Sequence, residues 1–218
     1  MPPFLQGDVN APRLQRGSPP DYELNDSNVR TAKPFLLRDS GGRCAYSMIH
    51  EREIGKETIE VDHFDPRKVD GKKNHNYDNL LPAYGPCNRS KSNKWPRPEA
   101  EVLGVRFLNP SVERDYGVHL FEDPESHKIV GFTGAGKYHV RHLALNTEYL
   151  IYKRKNRSIA RGLRDKVQLI QAFSPYDAAQ LNDFLGDAES AIPDIDPPPL
   201  DCPSAPPRAT GRLSVEWR

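Results

Sequence analysis

Cysteine is scarce in this chain of 218 residues: Cys44, Cys87 and Cys202 are too few, and odd in number, for a disulfide framework. A reducing compartment follows, with thiols or a metal site in place of bridges. Long apolar runs are missing too, so no segment approaches the roughly 20 residues that cross a bilayer. The N-terminus lacks the basic and then apolar stretches of a secretory signal, and the expectation is a soluble, cytoplasmic protein with no membrane partner. Net charge is also lacking: 31 Lys and Arg against 30 Asp and Glu leave +1. Any surface for nucleic acid must therefore come from local clustering. No internal repeat is visible. At 36% hydrophobic residues the chain can bury one ordinary core, not two full domains.

What is abundant is proline, 21 in all, clustered from Pro2 to Pro20 and from Pro193 to Pro207, with a mean hydropathy of −0.74. Four regions follow: a poorly ordered segment 1–30, a compact block 31–98, a region 99–191 of a β-hairpin and basic helices, and a Pro-rich flexible tail 192–218. A helix is predicted from Thr31 to Arg38, ended by Ser40-Gly41-Gly42. Thr58-Ile59-Glu60-Val61 alternates as a half-buried strand, Asp65 to Asp78 reads as a polar loop, and Leu80-Leu81 is a short apolar run. A short helix over Asn88–Lys94 must stop near Trp95, ahead of Pro96 and Pro98. Strands are predicted at Val105–Leu108, Val118–Phe121 and Lys128–Phe132, the last two joined through Pro124-Glu125-Ser126. A long helix starts with Asn146 as N-cap, and Ser174-Pro175 begins another whose apolar face is Ala178, Leu181, Phe184 and Leu185.

The chemistry concentrates in the compact block. Val61-Asp62-His63-Phe64-Asp65-Pro66 sets a carboxylate beside an imidazole, a ligand for a cation next to a base for water. Neighbours on a strand point to opposite faces, so the two share one site only where the strand ends and a turn re-aims one of them. Tyr77-Asp78-Asn79-Leu80-Leu81 and Cys87-Asn88-Arg89-Ser90-Lys91 add two amides and a lysine, and an amide oxygen is a hard ligand suited to Mg²⁺.

Asp62-His63, Asp78-Asn79-Leu80 and Cys87-Asn88-Arg89-Ser90-Lys91 together resemble the HNH nuclease motif of the ββα-metal fold, over about a quarter of the chain. The resemblance implies a divalent metal bound by Asp62 and Asn88, His63 as general base, and Asn79 as a brace for the loop that holds the histidine. Asparagine at 88 replaces the histidine of many members, as in the HNH domains of RNA-guided Cas nucleases. The all-oxygen set then favours one Mg²⁺ or Mn²⁺ per active site. Relatives in retron and Septu-type phage defence carry two CxxC pairs that bind structural zinc; here Cys44-Ala45-Tyr46-Ser47 and Tyr84-Gly85-Pro86-Cys87 retain one cysteine each. Two reduced thiols packed as small hydrophobes are the expected state of Cys44 and Cys87, with a zinc site as the alternative. The same resemblance implies a defence effector held by a partner ATPase, and it extends loosely to Tyr138–Leu143 and Leu145-Asn146.

Lys91 reads either as a solvated helix residue or as a phosphate contact. Lys153, Arg154, Arg157, Arg161 and Arg164, at helical spacings, form either a solvated face or a stripe that holds nucleic-acid phosphates. The expectation is thus an α+β protein with a central ββα-metal module, flanking helices and a small β-hairpin region. Its expected activity is metal-dependent hydrolysis of DNA, with RNA as the alternative substrate and a non-catalytic binding or regulatory subunit as the competing class. One site cuts one strand, so double-strand cleavage needs a homodimer or two nicks.

Overall fold

Ile59-Glu60-Val61-Asp62-His63 forms strand β1 (Ile59–His63), which pairs antiparallel with β2 (Leu80–Tyr84) in the register Glu60 to Ala83, Val61 to Pro82, Asp62 to Leu81 and His63 to Leu80. The computed structural model describes residues 12–54, 59–66 and 75–173. Every residue of β2 is buried, so both faces of the hairpin are covered. Helix α2 (Gly85–Lys91) leaves directly from β2 and packs on one face. It begins earlier than the predicted Asn88 because Pro86 occupies the first turn, where a missing N–H leaves no gap. A 3-10 turn (Val29–Ala32) running into α1 (Lys33–Asp39) covers the other face, ended by Gly41 and Gly42 at φ +59° and +72°.

Two apolar clusters result. Leu81, Ala83, Tyr46, Phe107 and Leu120 belong to the larger, while Leu80, Leu36, Ala32 and Tyr77 form the smaller, with Val61 packed against it. The N-terminal segment, expected to be poorly ordered through residue 30, is tied down from Arg13 onward. Arg13 grips the buried Asp115 through Nε at 2.9 Å and Nη2 at 2.7 Å, and Leu14 donates its amide to the Pro110 carbonyl at 2.8 Å. Residues 1–11 lie outside the described ones.

Beyond α3 (Pro98–Val102), Val105–Leu108 is not a strand; Phe107 and Leu108 enter the core as single buried side chains instead. Strands β3 (Leu120–Glu122) and β4 (Ile129–Gly131) make the expected hairpin, and α4 (Gly134–His142) packs on β4. Helix α5 (Glu148–Phe173) follows, with Thr147 rather than Asn146 as its cap: the Thr147 Oγ1 accepts from the Leu150 amide at 3.4 Å. Asn146 instead clamps both backbone groups of Ile129, at 2.7 and 2.8 Å. A polar side chain that can pair with an adjacent strand is better used there than at a cap. The helix expected after Ser174 and the Pro-rich tail lie outside the described residues. No described helix is long and apolar enough to cross a membrane.

The contact of α4 with β4 depends on two glycines. A Cβ on Gly136 would overlap the His119 carbonyl oxygen, and one on Gly131 would overlap the backbone of Gly136 and Lys137. Backbone cannot swing aside as a side-chain tip does. Gly136→Ala should therefore lower stability by about 1–3 kcal/mol, the usual range for overpacking, as read from denaturant midpoints; an unchanged midpoint would refute the close approach.

Candidate active site

Glu60 and Asp62 share one face of β1, and the register points that face at α2, where Asn88 and Lys91 sit one turn apart on the side that meets it. Asp62 is buried, and both of its oxygens are taken. Lys91 Nζ lies 3.1 Å from Oδ1 and 3.0 Å from Oδ2, and the Tyr46 hydroxyl donates to Oδ2. Burial raises the Asp62 pKa, while Lys91 and Tyr46 pull it back. The Tyr46 hydroxyl, buried beside this carboxylate, is held well above its ordinary value. Lys91 is itself fully buried, so it is neither a solvated residue nor a phosphate contact. Its ammonium also donates to the His63 carbonyl at 2.7 Å, which ties the end of β1 to α2.

His63 is the last residue of β1 and projects to the opposite face from Asp62, as strand alternation requires. It lines a cleft of about 400 Å³ with Asp26, Ser27, Val29, Arg30 and Val61. Just past it, Asn79 grips the backbone of Asp65: its Oδ1 accepts from the Asp65 amide at 2.9 Å and its Nδ2 donates to the Asp65 carbonyl at 3.2 Å. The Phe64 amide donates to the Asn79 carbonyl at 2.8 Å, so the chain leaving His63 is held at consecutive residues. Asn79 thereby occupies the position from which a brace acts.

Asn88 does not meet Asp62. Its Nδ2 donates to Glu60 Oε2 at 2.8 Å, and Arg89 lies 3.4 Å from Glu60 Oε1. Glu60 and Asn88 line a second cleft, of about 410 Å³, with Arg30, Lys33, Ile59 and Val61. Arg30 and Val61 belong to both clefts. The sheet has only the order β1-β2 among the described residues, so no described strand pairs with the outer edge of β1. Residues of both faces of β1 line these clefts: His63 the first, Glu60 with Asn88 the second. Sequence reading missed Glu60, Arg30 and Lys33. Glu60 was legible only as a strand residue, although its i to i+2 relation to Asp62 places it on the α2 face.

Hard oxygen donors fit a divalent cation best at Glu60 and Asn88, which already touch each other at an open cleft. Asp62 fits less well in this arrangement, because a cation would have to displace Lys91. Among the described residues no group of three or more His, Cys, Asp and Glu side chains is placed to hold a metal. Cys44 and Cys87 are both buried free thiols brought side by side. Cys44 Sγ accepts from the amides of Tyr46 at 3.4 Å, Ser47 at 3.3 Å and Tyr84 at 3.1 Å. Despite burial, hydrogen bonds from Cys87, Ser47 and Tyr84 bring its pKa down to about 6, and the donating Cys87 is pushed well above the ordinary thiol value.

The basic helix divides. Arg154 is buried and donates to the carbonyls of His127 at 2.6 Å and Leu145 at 2.9 Å and to Asn146 Oδ1 at 3.2 Å, so it supports the loop before α5 and is not available to a phosphate. Arg157 donates to the Met48 carbonyl at 3.1 Å, and Lys153 lies over the Tyr149 ring. Arg161 is half-buried, and the Arg164 side chain lies outside the described ones. His139, on α4, is wholly buried and kept neutral, its pKa lowered to about 3 by burial, while Nδ1 accepts from the Leu108 amide.

Residues 43–94 match the family model described as HNH endonuclease. The matched stretch contains Cys44, the β1–β2 hairpin and α2, hence Glu60, His63 and Asn88, whereas Arg30 and Lys33 of the clefts lie outside it. No curated protein and no solved structure matches the chain.

Two measurements probe these buried charges. Lys91→Ala strands the Asp62 carboxylate, which should lower stability by about 3–5 kcal/mol, and Asp62→Asn combined with Lys91→Met should recover most of it; equal loss in both would refute the pairing. The Cys44 thiol ionises lower in the folded chain than its ordinary value of 9.0, so its stabilisation grows as pH rises from about 6 toward 9.0 and is lost as pH falls through about 6. Thiolate ultraviolet absorbance of the native protein should titrate near that lower value and disappear in Cys44→Ser; a native titration near 9.0 in its place would show that the hydrogen bonds do not hold the thiolate.

Proposed function

With the HNH match over residues 43–94 as the premise, we propose that the chain is an endonuclease that hydrolyses phosphodiester bonds of DNA with the help of Mg²⁺ or Mn²⁺. The observation that carries this reading is His63 at the end of β1, in an open cleft, with the backbone beyond it clamped by Asn79. A general base must be aimed at one water and must not wander. Lys91 on the His63 carbonyl and Asn79 on the Asp65 backbone supply that restraint from both sides. His63 takes the proton from the attacking water.

Asn88 and Glu60 are the groups that would hold the cation in the arrangement described. When bound, a divalent ion stabilises charge on the scissile phosphate and on the departing 3′ oxygen. Asp62, on the same face of β1, keeps the ligand role assigned from its motif only if Lys91 gives up its pairing. The two carboxylates therefore make different predictions: Glu60→Gln should weaken Mn²⁺ binding, measured by paramagnetic resonance, by tenfold or more on the order expected for a lost charged ligand, whereas Asp62→Asn should act mainly on stability. A larger loss of Mn²⁺ affinity in Asp62→Asn would reverse the assignment.

An anti-phage role under a partner ATPase draws its support from the looser resemblance of residues 138–146 and belongs to the same proposal. His63→Ala should abolish plasmid cleavage while leaving the melting temperature and DNA affinity nearly unchanged. Substantial residual cutting by that variant would sink the base assignment, and cleavage of RNA with DNA left intact would move the substrate to RNA.

A further inference from the structure

Two of the cations that sequence patterning offered to nucleic acid are committed inside the fold, Lys91 to Asp62 and Arg154 to the loop before α5. Arg30 and Lys33 stand differently. Neither side chain makes a hydrogen bond or an ion pair with another described residue; Arg30 lines both clefts beside β1, and Lys33 lines the one with Glu60 and Asn88. Arg30 is exposed and lies between the cleft that holds His63 and the one that holds Glu60 and Asn88. Lys33 follows three residues later across the junction of the 3-10 turn and α1, a spacing that sets both on one side of the segment. The other side carries Ala32 and Leu36, buried in the cluster with Leu80 and packed near Val61. The two cations are thus carried on a rigid support.

We infer that Arg30 and Lys33 form a phosphate clamp, holding successive phosphodiester groups of one nucleic-acid strand along the outer edge of β1, next to the group presented to His63. This rests on the nuclease reading. The hydrogen-bonding of the acidic groups in the clefts supports it. Their acidic side chains are Asp26 and Glu60; Asp26 is met by His75 Nε2 at 2.8 Å, and Glu60 by Asn88 at 2.8 Å and Arg89 at 3.4 Å. Arg30 and Lys33 are left facing the space with their charge available. A phosphate contact of this kind holds a strand without reading its bases. It also explains how a chain with a net charge of +1 can bind a polyanion at one place.

The test uses the full chain and a labelled single strand of DNA, with an RNA strand of the same sequence in parallel. Anisotropy is followed across a salt series in EDTA, so that nothing is cut. Each contact to a single strand contributes about 0.7 to the slope of log affinity against log salt, so Arg30→Ala with Lys33→Ala should make the slope shallower by roughly 1.4. Arg30→Lys with Lys33→Arg should keep it, as should Lys155→Ala, which removes an exposed cation on α5. Melting temperatures should agree throughout, since neither clamp side chain has a partner to lose among the described residues. A wild-type slope in the double alanine variant, an equal loss in Lys155→Ala, or no binding by the wild type to either strand would overturn the clamp. Cleavage in Mn²⁺ is scored separately: a wild type that cuts, with a double variant that binds normally, removes the clamp and leaves the nuclease reading. A wild type that binds through Arg30 and Lys33 but never cuts does the reverse, and the DNA and RNA arms say which strand is preferred.

Discussion

A lysine ammonium without water is stable only against a fixed counter-charge, and Lys91 finds one in Asp62. The same ammonium holds the His63 carbonyl, and the Tyr46 hydroxyl occupies the far side of the carboxylate. One buried ion therefore joins three parts of the chain: the turn before the hairpin, the first strand, and the helix after the second strand. Alternative packings of α2 on β1 would leave a charge unpaired, and that penalty selects one register. The position of His63 is a consequence of this lock as much as of its own side chain.

The site built on that lock uses the edge of a two-stranded sheet. A strand sends its neighbours to opposite faces, so adjacent Asp62 and His63 cannot point into the same space in mid-strand. At the outer edge of β1 the two faces open into neighbouring clefts: His63 lines one, Glu60 with Asn88 the other, and Arg30 and Val61 line both. The 3-10 turn and α1 wall the opposite side with two cations. Sulfur contributes a separate anchor. Cys44 collects amides from its own turn and from Tyr84 at the end of β2, joining the segment before the hairpin to the start of α2 by hydrogen bonds.

Much of the hairpin and helix was readable from local chemistry. The strand predicted at Thr58–Val61, the apolar pair Leu80-Leu81 and the Gly41-Gly42 stop each act over a few residues; a strand from Ile59, the buried pair and the glycine stop are present in the fold, although burial along β1 does not strictly alternate. What was misread depended on remote partners. Asn146 is a good cap in isolation, but β4 lies close enough to take its amide. Phe107 and Leu108 have the composition of a strand and no strand among the described residues to pair with. Arg13 sits in a Pro-rich segment that reads as disordered until the buried Asp115, 102 residues away, is seen to hold it.

By itself the sequence determined the motif: which residues carry an imidazole, carboxylates and amides at spacings that a strand, a strand and a helix can bring together, because those spacings are set by local geometry. Only the tertiary structure decided which of these groups face open space. Lys91 and Arg154 carry the same charge as Arg30 and Lys33, and nothing in their immediate neighbours distinguishes them. The difference is a carboxylate 29 residues upstream of Lys91 and a set of carbonyls gathered around Arg154, which remove two cations from solvent. Burial is a property of the whole packed chain, so the choice between structural and functional charge is made there.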